Sequence, residues 1–127
     1  MRGLALLLAL LPGTALALDC NTASTQSDMI LCAAEQHAKA DYALNDAYKA
    51  ALAKAKSVDG WLAQSGQSAT QTLREAQRAW ITYRDLACMA EALPYDGGSI
   101  QGLIHTNCLA RLTIQRTEDL RDFSREG

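Results

Sequence analysis

Four cysteines (Cys20, Cys32, Cys88, Cys108), two histidines (His37, His105) and scattered serines and carboxylates are the side chains of this 127-residue chain that could carry chemistry. Zinc sites gather cysteine and histidine in close pairs, but the sequence has no CxxC, and His105 stands alone three residues before Cys108. Neither a GxSxG elbow nor an HExxH helix holds a nucleophile beside a base. Adjacent carboxylates such as Glu118 and Asp119 leave a helix on different faces and read as solvated charge. CxxCH is absent, which argues against covalent haem. The reading is a non-enzymatic protein with no cofactor and no metal.

The cysteines then read as disulfides. The chain opens with Arg2, an apolar run from Leu4 to Leu11, a Pro12-Gly13 break and Ala15-Leu16-Ala17. This pattern predicts a secretory signal peptide over residues 1–17, cleaved near Ala17, and hence a periplasmic or secreted protein. The run is far short of the ~20 residues of a spanning helix, so no stable membrane anchor is expected. Asp19 before Cys20 also spoils a lipid-attachment signal, which needs a small residue there. All four cysteines fall in residues 18–127, in an oxidising compartment, and their even number predicts two bridges.

Residues 18–127 make one domain with room for one modest core. Without Arg2 they carry 11 basic against 14 acidic side chains, a formal charge of −3. Nucleic acid wants a clustered basic surface and is not expected; a cationic protein partner is compatible.

No repeat, charge block or useful strand alternation follows the leader, and three helices account for the pattern. The first is predicted from about Thr25, its cap, to Lys56, with Ala33, Ala40, Leu44, Ala47, Ala51 and Ala55 as a narrow buried seam. A linker follows from Ser57 to about Gln67. The second helix is predicted from about Ser68 to Ala92, with Leu73, Ala76, Trp80, Tyr83 and Ala87 as its apolar series. PYDGGS then turns the chain, with Ser99 capping a third helix to about Arg121 whose apolar positions include Leu103, Ile104, Leu109, Leu112 and Leu120. Short connections make successive helices antiparallel. The expected fold is all-α, a small antiparallel three-helix bundle stapled by two disulfides.

The second helix carries an oddity. Gln77, Trp80, Arg84 and Cys88 share one side of it, polar groups among apolar ones. Asp41, Asn45, Tyr48 and Leu52 form a matching column on the first helix, and an antiparallel hairpin sets Asp41 opposite Arg84. The predicted result is an internal ion pair, with Asn45 and Gln77 satisfying the remaining donors and acceptors.

These residues also carry a resemblance. "DYALNDAY" (Asp41 to Tyr48), "LREAQRAWITYRDLAC" (Leu73 to Cys88) and "CLARLTIQR" (Cys108 to Arg116) resemble the LprI-type lysozyme inhibitor family, formerly only a domain of unknown function. The likeness extends from Asp19 through Leu120. It implies an exported helical domain, and one branch of the family is associated with lysozyme inhibition. Asp41, Asn45, Tyr48, Gln77, Trp80, Arg84 and Arg116 match its recurring polar and aromatic positions, which look architectural. Asp19 sets this chain apart from the lipid-anchored members.

Four cysteines permit three pairings. Cys20 with Cys32 and Cys88 with Cys108 is favoured, the second bridging the helices that flank PYDGGS; Cys32 with Cys88 is the rival. A bridge beside the turn would stiffen Tyr95, Asp96, Gly97, Gly98 and Ser99 into a projection able to enter an enzyme cleft. The expected function is a lysozyme inhibitor that blocks the substrate cleft. The alternative is an envelope protein-interaction module with no effect on lysozyme, and an unrecognised envelope enzyme ranks third.

Overall fold

The computed structural model describes residues 17–62 and 66–126, so all but the last residue of the expected leader lies outside the described residues. Thr25 starts the first helix as its composition predicts: its hydroxyl accepts from the Asp28 amide at 3.1 Å, satisfying one of the unpaired donors of the first turn. Helix α1 spans Gln26–Trp61, α2 Ala69–Ala92 and α3 Gln101–Arg125, with a short 3₁₀ turn at Leu93–Tyr95. The all-helical bundle is as expected. Both bridges take the local pairing, Cys20 with Cys32 and Cys88 with Cys108, so the Cys32–Cys88 rival is excluded.

Helix α1 runs five residues beyond its expected end at Lys56. Nothing in Ser57-Val58-Asp59-Gly60 forbids this, since the segment lacks proline and Val58 is half-buried. The last turn has a use: Asp59 reaches the start of α2, accepting from the amides of Ala69 and Thr70 and from the Ser68 hydroxyl. Ser68 itself caps α2 through the Gln71 amide. The neighbouring Thr70 side chain, outside hydrogen-bond geometry, together with the desolvation that opposes it and these backbone and hydroxyl donors, leaves the Asp59 carboxyl below its ordinary 3.8. A depressed folded value means that the stabilisation is complete above the ordinary value and is lost as pH falls through the folded one. Asp59→Asn should therefore melt below the wild type at neutral pH, and the gap between the two should narrow as pH falls through the depressed carboxyl value. A gap unchanged by acid would assign the loss to packing.

Ser99 at the head of α3 donates to Gln26 Oε1 at the head of α1 (3.2 Å), so these helices run parallel and α2 runs antiparallel to both. Ser99 is thus not the cap expected of it. Ile100, already in helical geometry, occupies that position without a side-chain cap. The α1–α3 contact is the most extensive in the bundle. Its basis is the alanine seam, whose six predicted residues are the buried residues of α1. Small side chains let the two backbones approach, and Leu44, Ala47, Ala51 and Leu120 form the core cluster, covered by Tyr48, Leu73, Trp80 and Phe123.

The other two faces match expectation only in part: Leu103 and Leu120 are buried, and Leu73 and Trp80 pack against the core. In α2 the buried residues are Thr70, Gln77, Cys88 and Ala92, whereas the predicted Ala76 and Tyr83 are exposed. In α3, Cys108, Ala110, Thr113 and Thr117 join Leu103 and Leu120 inside, while Ile104, Leu109 and Leu112 are half-buried. Hydropathy underrates the threonines. Thr117 donates to the Thr113 carbonyl at 2.8 Å, so its hydroxyl is satisfied within the helix and its methyl group is free to pack.

Candidate functional site

The polar column of α2 faces α3. Gln77 is buried and its Oε1 accepts from Arg116 Nε at 3.0 Å. Two turns on, the Arg84 side chain is only 14% exposed. Its guanidinium lies 5.1 Å from the centre of the Trp80 ring, bonds to Asp85 Oδ1 from Nε (2.9 Å) and the second terminal nitrogen (2.8 Å), and comes within 3.5 Å of Thr113 Oγ1. The Cys88–Cys108 bridge follows, then an Arg111–Glu91 ion pair at 2.7 Å. Side-chain contacts thus run the length of the α2–α3 seam.

Asp41 and Asn45 take no part in it. Both are exposed on α1, and neither bonds to Arg84. The expected ion pair assigned Arg84 to the wrong neighbour. Cys88 lies on the same side of α2 as Arg84, and its bridge to α3 fixes what that side meets. Of the predicted polar cluster, Gln77 and Arg116 are joined directly, Arg84 stands beside them in the seam, and Asp41 and Asn45 lie elsewhere. His37 and His105 are half-buried on α1 and α3.

Turning the polar column inward turns an apolar one outward. Tyr83, Leu86, Met89 and Leu93 are each more than half exposed and recur at three- and four-residue steps. Sequence spacing alone does not reveal this stripe, because the heptad-like series places Tyr83 in the core. The signal was available: the side opposite Cys88 must face away from α3.

The stripe leads into the predicted turn, which is internally braced. The Asp96 amide bonds to the Leu93 carbonyl at 3.0 Å and the Gly98 amide to the Tyr95 carbonyl at 2.9 Å. Gly97 has φ +74°, a conformation that favours glycine, and a Cβ on Gly98 would come within 3.0 Å of the Tyr95 carbonyl oxygen. Asp96 Oδ1 accepts from Gln101 Nε2 (3.2 Å), and Ser99 ties the turn to α1. Behind it, Cys88–Cys108 joins the two helices from which it projects. Tyr95, Asp96, Gly97, Gly98 and Ser99 are all exposed. The arrangement offers a rigid convex feature with one aromatic ring, one carboxylate and an apolar flank.

Comparison with known proteins follows the same outline. A family model described as Lysozyme inhibitor LprI matches residues 19–120. A protein of Rhizobium meliloti (strain 1021), named as uncharacterized, is 36% identical over 108 residues, spanning 83% of this chain and 78% of that one. The crystal structure of a DUF1311 family protein from Pseudomonas putida KT2440 matches with a TM-score of 0.69 at 22% identity, over 81% of this chain and 97% of that one. At that identity the likeness concerns the fold alone.

Proposed function

The chain belongs to the lysozyme inhibitor LprI family, and from that premise we propose that it is an exported, non-catalytic inhibitor whose α2–α3 turn blocks the substrate cleft of lysozyme. The observation that carries the reading is the bracing of the turn. A projection held by its own hydrogen bonds, by Ser99–Gln26 and by Cys88–Cys108 has little conformational freedom left to lose on entering a groove. Tyr95 supplies ring area and a hydroxyl, and Asp96 a carboxylate for a basic rim. Both disulfides suit the oxidising compartment to which a leader over residues 1–17 would deliver the protein.

The test is a titration of the purified, oxidised protein against separate classes of lysozyme, following cell-wall cleavage. Cleavage by at least one class should fall to a stoichiometric end point. Unchanged rates with every class would sink the reading, and capture of a different envelope partner would then favour an interaction module. Tyr95→Ala combined with Asp96→Ala should weaken inhibition roughly tenfold or more while leaving the melting temperature nearly unchanged, since both side chains are exposed. Full inhibition by this double variant would move the contact away from the turn.

A further inference from the structure

The outward side of α2 is left uncovered by the other described residues. Scattered exposed apolar residues are ordinary on a protein surface. Tyr83, Leu86, Met89 and Leu93 are not scattered: they form one stripe of about three turns, from α2 into the 3₁₀ turn, and continue into Tyr95 and Ile100. The fold creates this surface by placing Gln77, Arg84 and Cys88 in the α2–α3 seam, so that the more apolar side of the helix is the one presented.

Charge narrows what covers it. The half of the bundle around the turn comprises the first half of α1 with its approach, the second half of α2, the turn and the first half of α3. It holds Asp19, Asp28, Glu35, Asp41, Asp85, Glu91 and Asp96 against Lys39, Arg84 and Arg111, a net of −4. The opposite half has a net of +1, so the charge of the described residues is strongly polarised toward the turn. Each base of the acidic half is already paired, Lys39 with Glu35, Arg84 with Asp85 and Arg111 with Glu91. Among the described residues, Asp19, Asp28, Asp41 and Asp96 form no ion pair. Beside the stripe itself the hollow between Met89 and His105 has a volume of about 300 Å³, the lower end of what ligand pockets offer, so the stripe suits a surface contact better than an enclosed small molecule. A second copy placed face to face would bring two acidic halves together.

We infer that the outward face of α2 and the adjoining turn form one continuous docking surface for a cationic protein, the apolar stripe making contact and the uncompensated carboxylates steering the approach. The inference rests on the inhibitor reading and deepens it, by adding to the turn the helix face that would lie along the rim of the enzyme. Burial of the stripe would act chiefly on the dissociation rate, and the charge chiefly on the association rate.

The experiment measures binding kinetics of the purified, oxidised protein to a panel of basic lysozymes at low and high salt, for the wild type and for Leu86→Ser combined with Met89→Ser. Both substituted residues are exposed, and circular dichroism and melting check that the variant is folded. The expected result is a dissociation constant raised on the order of tenfold or more in the variant, mostly through faster dissociation, and a wild-type association rate that falls as salt rises. Unaltered binding by the variant overturns the docking surface and leaves the inhibitor reading standing. A salt-independent association rate overturns the steering role of the carboxylates. Absence of binding by the wild type to every lysozyme overturns both readings. Sedimentation showing a dimer that becomes a monomer on substitution assigns the stripe to a second copy and overturns the inference.

Discussion

Replacing Cys88 and Cys108 together by alanine should lower the unfolding free energy by about 3 kcal/mol and weaken inhibition in protein that is still folded. The bridge closes a 20-residue segment, and the chain-entropy estimate for a loop of that size gives the figure. Both sulfurs sit in fully buried side chains, so alanine avoids stranding a polar group, and the small volume lost adds to the cost. For a domain of this size the melting temperature should drop on the order of 10 °C. The functional loss has a separate cause. Without the bridge, the side-chain ties left near the turn are exposed ones that contribute little, the Glu91–Arg111 pair and the Gln101–Asp96 and Ser99–Gln26 hydrogen bonds. A turn free to move must be ordered on binding, so its affinity should fall even at a temperature where circular dichroism shows the variant fully helical. Inhibition equal to that of the wild type in such a sample would separate the bridge from the turn's function and leave it a purely structural role.

How far the sequence discloses this molecule depends on which physical signal each part uses. The alanine seam of α1 is legible because small residues at three- and four-residue steps have one reading, a helix face that must lie close to another backbone. Helix boundaries are legible where side chains cap them, at Thr25 and Ser68, and blurred at Trp61, where the helix continues because Asp59 is needed by the next one. The inner faces of α2 and α3 are harder to read because their buried residues include Thr70, Gln77, Thr113 and Thr117, which hydropathy places outside. Partners decide the matter: Gln77 is buried because Arg116 reaches it. The partner of Arg84 was open to a consistency argument from the Cys88–Cys108 pairing, whereas its bond to adjacent Asp85 and its stacking on Trp80 depend on rotamers that no spacing rule supplies. The turn could be located from PYDGGS, but its tie to α1 through Ser99 and Gln26 joins residues 73 positions apart and needs the packed bundle.

Leu120→Ala should be among the most damaging single substitutions available, costing about 2 to 5 kcal/mol. Leu120 heads the large, fully buried side chains, and it sits where α3 meets Leu44, Ala47 and Ala51 of the seam. Its neighbours are poorly able to fill the space. Alanines have no rotamer to change, and the closeness of the two backbones that they permit leaves little room for further collapse. Tyr48, Leu73, Trp80 and Phe123 cover the cluster from its edge and could close part of the gap only by drawing inward from partly exposed positions. A cavity that cannot collapse lies toward the costly end of the range. The position is also far from the bridges, which are concentrated around the turn, so no covalent tie limits the damage at the α1–α2 end. Urea unfolding followed by circular dichroism should show a lower midpoint with an unchanged slope, and the turn, remote from the cavity and still stapled, should keep its inhibitory contact below that midpoint. A loss under 1 kcal/mol would mean that the alanine seam can repack around the vacancy, and the close α1–α3 approach would then need an origin other than the fit of Leu120 against those alanines.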